Sequence, residues 1–252
     1  MSASEIRANA RKALEGKWGK GALITLVYVL VMFVLEFVLG FIPLLGSIAS
    51  IVISAPISYG IMVAFMKLKR GEEVTYTGFL EYGFSNFGKV WGVFGHTILK
   101  LLVPMIIFFV CLILFLTGTV GSVFSLTNGS SFAGFSGLTI VALIGYIASA
   151  IFLVVKGLLY SLTNYLLYDN QNMTSKEIVE ESERLMNGNR GKYVWLELTF
   201  IGWLVLSIFT LYIGLLWVAP YMSVAFVCFY ETLIGKTSND EVVEIENVDP
   251  IQ

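Results

Sequence analysis

Long apolar runs alternate with short polar segments along this chain of 252 residues. About 20 apolar residues cover the roughly 30 Å of hydrocarbon in a bilayer. Six runs reach that length: residues 21–41, 46–66, 91–116, 138–168, 193–213 and, shortest, 219–235. All six are expected to be α-helices, because an isolated strand leaves its backbone unsatisfied in lipid. The third and fourth exceed a single crossing and are expected to project or lie along the surface. The pattern predicts an all-α polytopic membrane protein with six transmembrane helices.

The polar segments between the runs are related. Residues 174–192, TSKEIVEESERLMNGNRGK, repeat residues 2–20 at an offset of 172. Glu5 falls on Glu177, Ile6 on Ile178, Ala10 on Ser182, Leu14 on Met186, and Gly16, Gly19 and Lys20 on Gly188, Gly191 and Lys192. Ser2 and Thr174 each stand three residues before a glutamate, the spacing of a capping box. Each copy reads as a short capped helix, a glycine stop and then an apolar run. Gly-Lys recurs at 88–89, again before an odd-numbered run, with Trp18, Trp91 and Trp195 close by. The chain therefore reads as three hairpins, each preceded by a cytoplasmic amphipathic element. The middle element, 75–88, is aromatic and glycine-broken, and no clean helix is expected there.

Charge sets the orientation. Lys and Arg gather before the first run, after the second, after the fourth and at Lys236. The loops at 42–45, 117–137 and 214–218 have none. The positive-inside rule then puts both termini in the cytoplasm. Loop 117–137, rich in Gly and Ser, is expected to be mobile, and its Asn128-Gly129-Ser130 is a glycosylation triplet by pattern only. Residues 237–252 hold five acids and no base, and read as an acidic disordered tail. Setting those five aside leaves 13 acids against 16 bases, so the net charge of −2 hides a body of +3. With 57% apolar and 13% charged residues and a mean hydropathy of +0.81, the chain is outside the soluble range. The first run is long enough to span, and is read as a span rather than a cleavable signal. Cys111 and Cys228 lie inside apolar runs and read as packing residues.

Few side chains suggest chemistry. Lys100 and Lys156 lie inside apolar runs. They either face a polar cavity or lipid headgroup, or snorkel to the interface, the preferred reading. Ser47, Ser50, Ser54 and Ser58 form a stripe on the second run, interrupted by Pro56. Close helix packing is its preferred use, and lining a cavity is the alternative. Pro104 cannot donate to the Lys100 carbonyl. Glu36, Glu197 and Glu231 sit near run ends, with Lys236 a local partner for Glu231. His96 is the only histidine, so no metal site is expected. No cofactor is expected, no nucleic-acid surface appears, and no hydrolase, phosphate-loop or dinucleotide motif is present, so the chain is read as a non-enzyme. Residues 3–17 carry +2 and residues 175–187 carry −2. The basic helix suits an anionic leaflet. The acidic helix is expected to dock through Ile178, Ser182, Leu185 and Met186 on protein, either the basic N-terminal helix or a partner at the cytoplasmic face.

From residue 182 onward, SERLMNGNRGKYVWLELTFIGWLVLSIFTLYIGLLWVAPYMSVAFVCFYETL resembles the bacterial integral membrane family designated domain of unknown function 975. The likeness rests on LMNG at 185–188, FIGW at 200–203, Pro220-Tyr221 and FYE at 229–231, with Arg7, Ala10, Leu14 and GKW at 16–18 matching the opening. It covers nearly the whole chain except 117–137. It implies a bacterial plasma-membrane protein and brings no catalytic residues. Two functions stay open: a scaffold or accessory protein of the cell envelope acting through its cytoplasmic helices, and a small-solute or lipid carrier with a polar cavity around Lys100, Lys156 and the serine stripe. Oligomeric state is left open.

Overall fold

A computed structural model of the chain describes residues 1–42, 45–127 and 133–235. The expected acidic tail, Lys236 and the triplet at 128–130 lie outside those residues. Among the described residues every regular element is helical: α1 Ala3–Leu14, α2 Trp18–Leu39, α3 Leu45–Lys69, α4 Gly78–Ser85, α5 Phe87–Thr127, α6 Ala133–Gly157, a 3-10 turn Leu158–Tyr160, α7 Thr163–Asp169, α8 Ser175–Met186, α9 Arg190–Leu198, α10 Ile201–Phe209 and α11 Leu215–Leu233. Six stretches are long and apolar enough to cross a membrane.

Several boundaries differ from the expectation. The fourth run is not one helix: α6 stops at Gly157, the 3-10 turn follows, and α7 restarts at Thr163. The fifth run breaks between Leu198 and Ile201, where the Thr199 hydroxyl donates to the Leu196 carbonyl. Most of the expected loop 117–137 is helix, since α5 runs to Thr127 and α6 begins at Ala133. At 41 residues α5 is about 60 Å long, twice the hydrocarbon thickness. It passes through Pro104 without ending.

Both starter helices form as their sequences predict. The Ser2 hydroxyl accepts from the Glu5 N–H while the Glu5 carboxylate accepts from the Ser2 N–H, and Thr174 and Glu177 do the same on α8. Gly16 and Gly188 leave these helices at φ +72° and +84°, the left-handed conformation that glycine adopts without a Cβ penalty. The middle element does form a helix, α4. Glycines serve the close approach of α3 and α4: a Cβ on Gly60 of α3 would lie 1.8 Å from the Phe79 carbonyl oxygen, and one on Gly83 of α4 2.3 Å from that of Pro56. Gly83, one of the residues that made this copy look degenerate, lets two backbones touch.

Long helices run antiparallel in pairs. Gly21 of α2 is beside Leu68 of α3, and Glu36 beside Ser50. Gly118 of α5 is beside Thr139 of α6, and Phe108 beside Tyr146. Tyr193 of α9 stacks on Phe226 of α11, and the Phe200 ring meets that of Tyr221. The starters are seated on other pairs. α4 packs on α3, α8 on α5, the 3-10 turn and α7, and α1 on α11. Each starter thus reaches the closing helix of the preceding pair, α8 sharing its seat with the opening helix α5, and the first starter reaches the last helix, a cyclic arrangement.

The buried core lies at the end of the bundle that carries α1, α4 and α8. It holds Ile6, Ala10 and Leu14 of α1, Phe79 of α4, and Ile178, Ser182 and Met186 of α8. From α3, α7 and α11 come Tyr59, Met66, Leu167, Val224 and Phe229. Away from this end, side chains such as Phe33, Val103, Ile144 and Leu206 are exposed and apolar all round the long helices. Such a belt is the surface a bilayer covers.

Candidate functional site

The serine stripe divides. Ser50 donates to the Glu36 carboxylate, so it joins α3 to α2. Ser54 and Ser58 line a cavity of about 310 Å³ between α3, α5 and α7, together with Thr97, Thr163 and Asn164. Pro56 has a consequence close by. Lacking an N–H, it leaves the Val52 carbonyl free four residues earlier, and the indole N–H of Trp91 on α5 donates to it at 3.3 Å. This Trp, which follows the middle Gly-Lys by two residues, couples α5 to α3.

The two lysines are not part of that cavity. Lys100 points to α8, where its ammonium lies 3.4 Å from a Glu183 carboxylate oxygen, and its side chain is 43% exposed. Its long stem carries the charge to the polar helix α8. Lys156 occupies the last turn of α6 and is half-buried, away from the cavity's lining.

The apolar face of α8 is covered by this chain. Ile178, Ser182 and Met186 are fully buried and Leu185 partly so. The Ser182 hydroxyl donates to the Leu159 carbonyl at 2.8 Å and accepts from the Leu162 N–H at 3.3 Å. These are backbone groups left without helical partners by the break after Gly157, which is why a serine sits mid-face. The seat is therefore α5, the 3-10 turn and α7 rather than the basic N-terminal helix. What α8 leaves outward is charged: Lys176, Glu180 and Arg184 are exposed. The guanidinium of Arg184 holds the Glu181 carboxyl below its ordinary range.

A cluster that sequence reasoning missed joins the closing helices. Arg70, just past α3, gives two parallel N–H bonds to Asp169 at the end of α7, at 2.7 and 2.9 Å. Its Nε donates to Glu231 of α11 at 3.2 Å. Lys69 pairs with the second Glu231 oxygen at 2.7 Å, and the Tyr230 hydroxyl donates to Asp169 at 3.1 Å. Glu231 is thus partnered by Lys69 of α3 and by Arg70 just past it, while its expected pairing with Lys236 lies outside the described residues. Burial disfavours the Arg70 charge, but the bonds to Asp169 and then Glu231 outweigh it and raise the guanidinium pKa. The cluster bolts together the ends of three helices that are equivalent in the cyclic arrangement. One sequence signal was available: Tyr168-Asp169 and Tyr230-Glu231 are the same type of dipeptide at equivalent helix ends. Nearby, Arg11 of α1 donates to the Tyr221 hydroxyl of α11 at 2.9 Å.

The described residues contain no group of three or more His, Cys, Asp or Glu arranged to hold a metal. The charged cluster has its acids and bases matched against each other, which suits it to holding helices. The cavity's lining mixes hydroxyls and an amide with Ala55, Val90, Val93 and Phe94, which suits it to hydrogen-bond a ligand while packing against it. A family model described as "Protein of unknown function (DUF975)" matches residues 1–237. No curated protein and no solved structure matches the chain.

Proposed function

We propose that this chain, which belongs to the DUF975 family of bacterial integral-membrane proteins, is a non-enzymatic scaffold or accessory protein of the cell envelope. In this reading the antiparallel pairs are three transmembrane hairpins, and the end bearing α1, α4 and α8 faces the cytoplasm with both termini. The Lys and Arg of the inter-run segments gather at that end, as the positive-inside rule requires of a cytoplasmic face.

One observation carries the scaffold reading: the polar starter helices are locked onto the bundle by buried faces, leaving charged outer faces in fixed positions. Lys12 of α1 and Lys176, Glu180 and Arg184 of α8 face outward. Apolar seats hold both helices, so the outer charges are free to serve recognition. The test is affinity purification from native membranes, comparing the wild-type chain with a variant reversing Lys176, Glu180 and Arg184. A protein that co-purifies stoichiometrically and is lost in the variant, with membrane levels unchanged, supports the reading. Identical co-purification profiles refute it.

The cavity between α3, α5 and α7 favours a second reading, a carrier or lipid-handling protein. It differs from the expected form in that Lys100 and Lys156 take no part.

A further inference from the structure

The geometry points to the cavity between α3, α5 and α7 as a binding site for a neutral polyol, presented as the headgroup of a membrane lipid. At about 310 Å³ it lies at the small end of ligand-binding cavities, enough for a headgroup rather than a whole lipid. It exists because α6 ends early: the turn at Leu158–Tyr160 restarts the chain as α7 and sets Thr163 and Asn164 opposite Ser54 and Ser58.

Its lining fixes the ligand's charge and hydrogen-bonding character. Among the described residues no ionisable side chain borders it. A charged group would lose its hydration here without gaining a counter-charge. Three hydroxyls already donate to carbonyls of their own chain segments: Ser54 to Ile51, Thr97 to Val93 and Thr163 to Tyr160. Their oxygens remain as acceptors. Ser58 and Asn164 have no side-chain hydrogen-bond partner among the described residues. The set is rich in acceptors, with a few donors from Ser58 and Asn164. Vicinal hydroxyls, which both donate and accept, match it.

The mouth indicates the source. Ile51 of α3 and Phe94 of α5 border the cavity and are exposed, continuous with Ile48 and Leu99 on the apolar belt. A headgroup entering from that side keeps its acyl chains against the belt. The inference is independent of the scaffold reading, whose charged faces lie on α1 and α8.

Native mass spectrometry of the purified full-length chain in micelles tests it, with three probes: a glucosyl-diacylglycerol, a phosphatidylcholine of the same acyl chains, and free glucose. One glucosyl-diacylglycerol per chain is expected to be retained in preference to phosphatidylcholine. Asn164→Leu and Ser58→Val are each expected to reduce that retention about tenfold, the cost of leaving one ligand hydroxyl unpaired. Thr97→Val is nearly isosteric and removes one acceptor, so it decides the matter if a larger change prevents folding. Asn164-dependent retention of free glucose, without the lipid, would keep the polyol class and overturn the lipid source. Equal retention of the two lipids, retention unchanged in every variant, or retention of none of the probes overturns the site.

Discussion

Replacing Arg70 by methionine tests the charged cluster most directly. Its side chain is 18% exposed, and those of Asp169 and Glu231 are 11% and 6% exposed. In Arg70→Met, Glu231 keeps Lys69 at 2.7 Å. Asp169 loses both guanidinium bonds and keeps the Tyr230 hydroxyl. The loss therefore falls mainly on one carboxylate. Removing one partner of a buried pair costs about 3–5 kcal/mol, and the remaining hydroxyl contact places this case near 3 kcal/mol. A chain of this size loses about 2–4 °C in Tm per kcal/mol, so a fall of about 6–12 °C is expected in thermal unfolding in a fixed detergent. Arg70→Lys should recover only part of it, since a single ammonium cannot make the paired bonds. Arg70→Met combined with Asp169→Leu should be more stable than Arg70→Met alone, because the buried acid that the guanidinium compensated leaves together with it. The double-mutant cycle should give a coupling of about 2–3 kcal/mol. Additivity within about 0.5 kcal/mol, or a Tm fall under about 2 °C for Arg70→Met, would refute the assignment of the cluster as the joint between these helices.

Three further expectations follow from the packing. Gly60→Ala drives a Cβ into the Phe79 carbonyl and should cost at least 1–3 kcal/mol, whereas Gly88→Ala meets open space and should leave folded yield in a fluorescence size-exclusion assay unchanged. Trp91→Phe should cost about 1 kcal/mol by stranding the Val52 carbonyl. Pro56→Ala restores a backbone donor to that carbonyl, so the tryptophan substitution should matter less in that background. The Glu177 carboxyl is held below its ordinary pKa of about 4.5, first by the Thr174 N–H and then by its hydroxyl. Its folded pKa is depressed, so its contribution is full above that value and disappears as pH falls through the folded pKa. The Tm difference between the wild-type chain and Glu177→Gln should be constant above about pH 5 and shrink below about pH 4.

Local signals were the readable ones. The two capping boxes and the glycine exits at Gly16 and Gly188 depend on residues within one or two turns, and they form as the spacing predicts. Apolar run length located the six long stretches, because span length is fixed by the bilayer rather than by partners. The breaks at 158–162 and 199–200 were not readable, because the few polar residues there, Ser161 and Thr199, are tolerated inside an apolar run. The cluster joins Arg70 to residues 99 and 161 positions away, and no local rule pairs them. The glycine pattern also misjudged α4, since Gly78 and Gly83 look like helix breakers until the close approach of Gly83 to Pro56 is known. Of the expected cavity residues, Ser54 and Ser58 were found by spacing, while Thr97, Thr163 and Asn164 reach them only through the turn after Gly157.

The seating of α1 on α11 has a consequence in time as well as space. Arg11 of α1 bonds to Tyr221, 210 residues later, so α1 is synthesised long before the helix that seats it. Until α11 is made, Ile6, Ala10 and Leu14 lack most of their cover. Nascent chains that stop short of α11 therefore keep this apolar face open, and the seating of α1 ties together two helices made far apart in time.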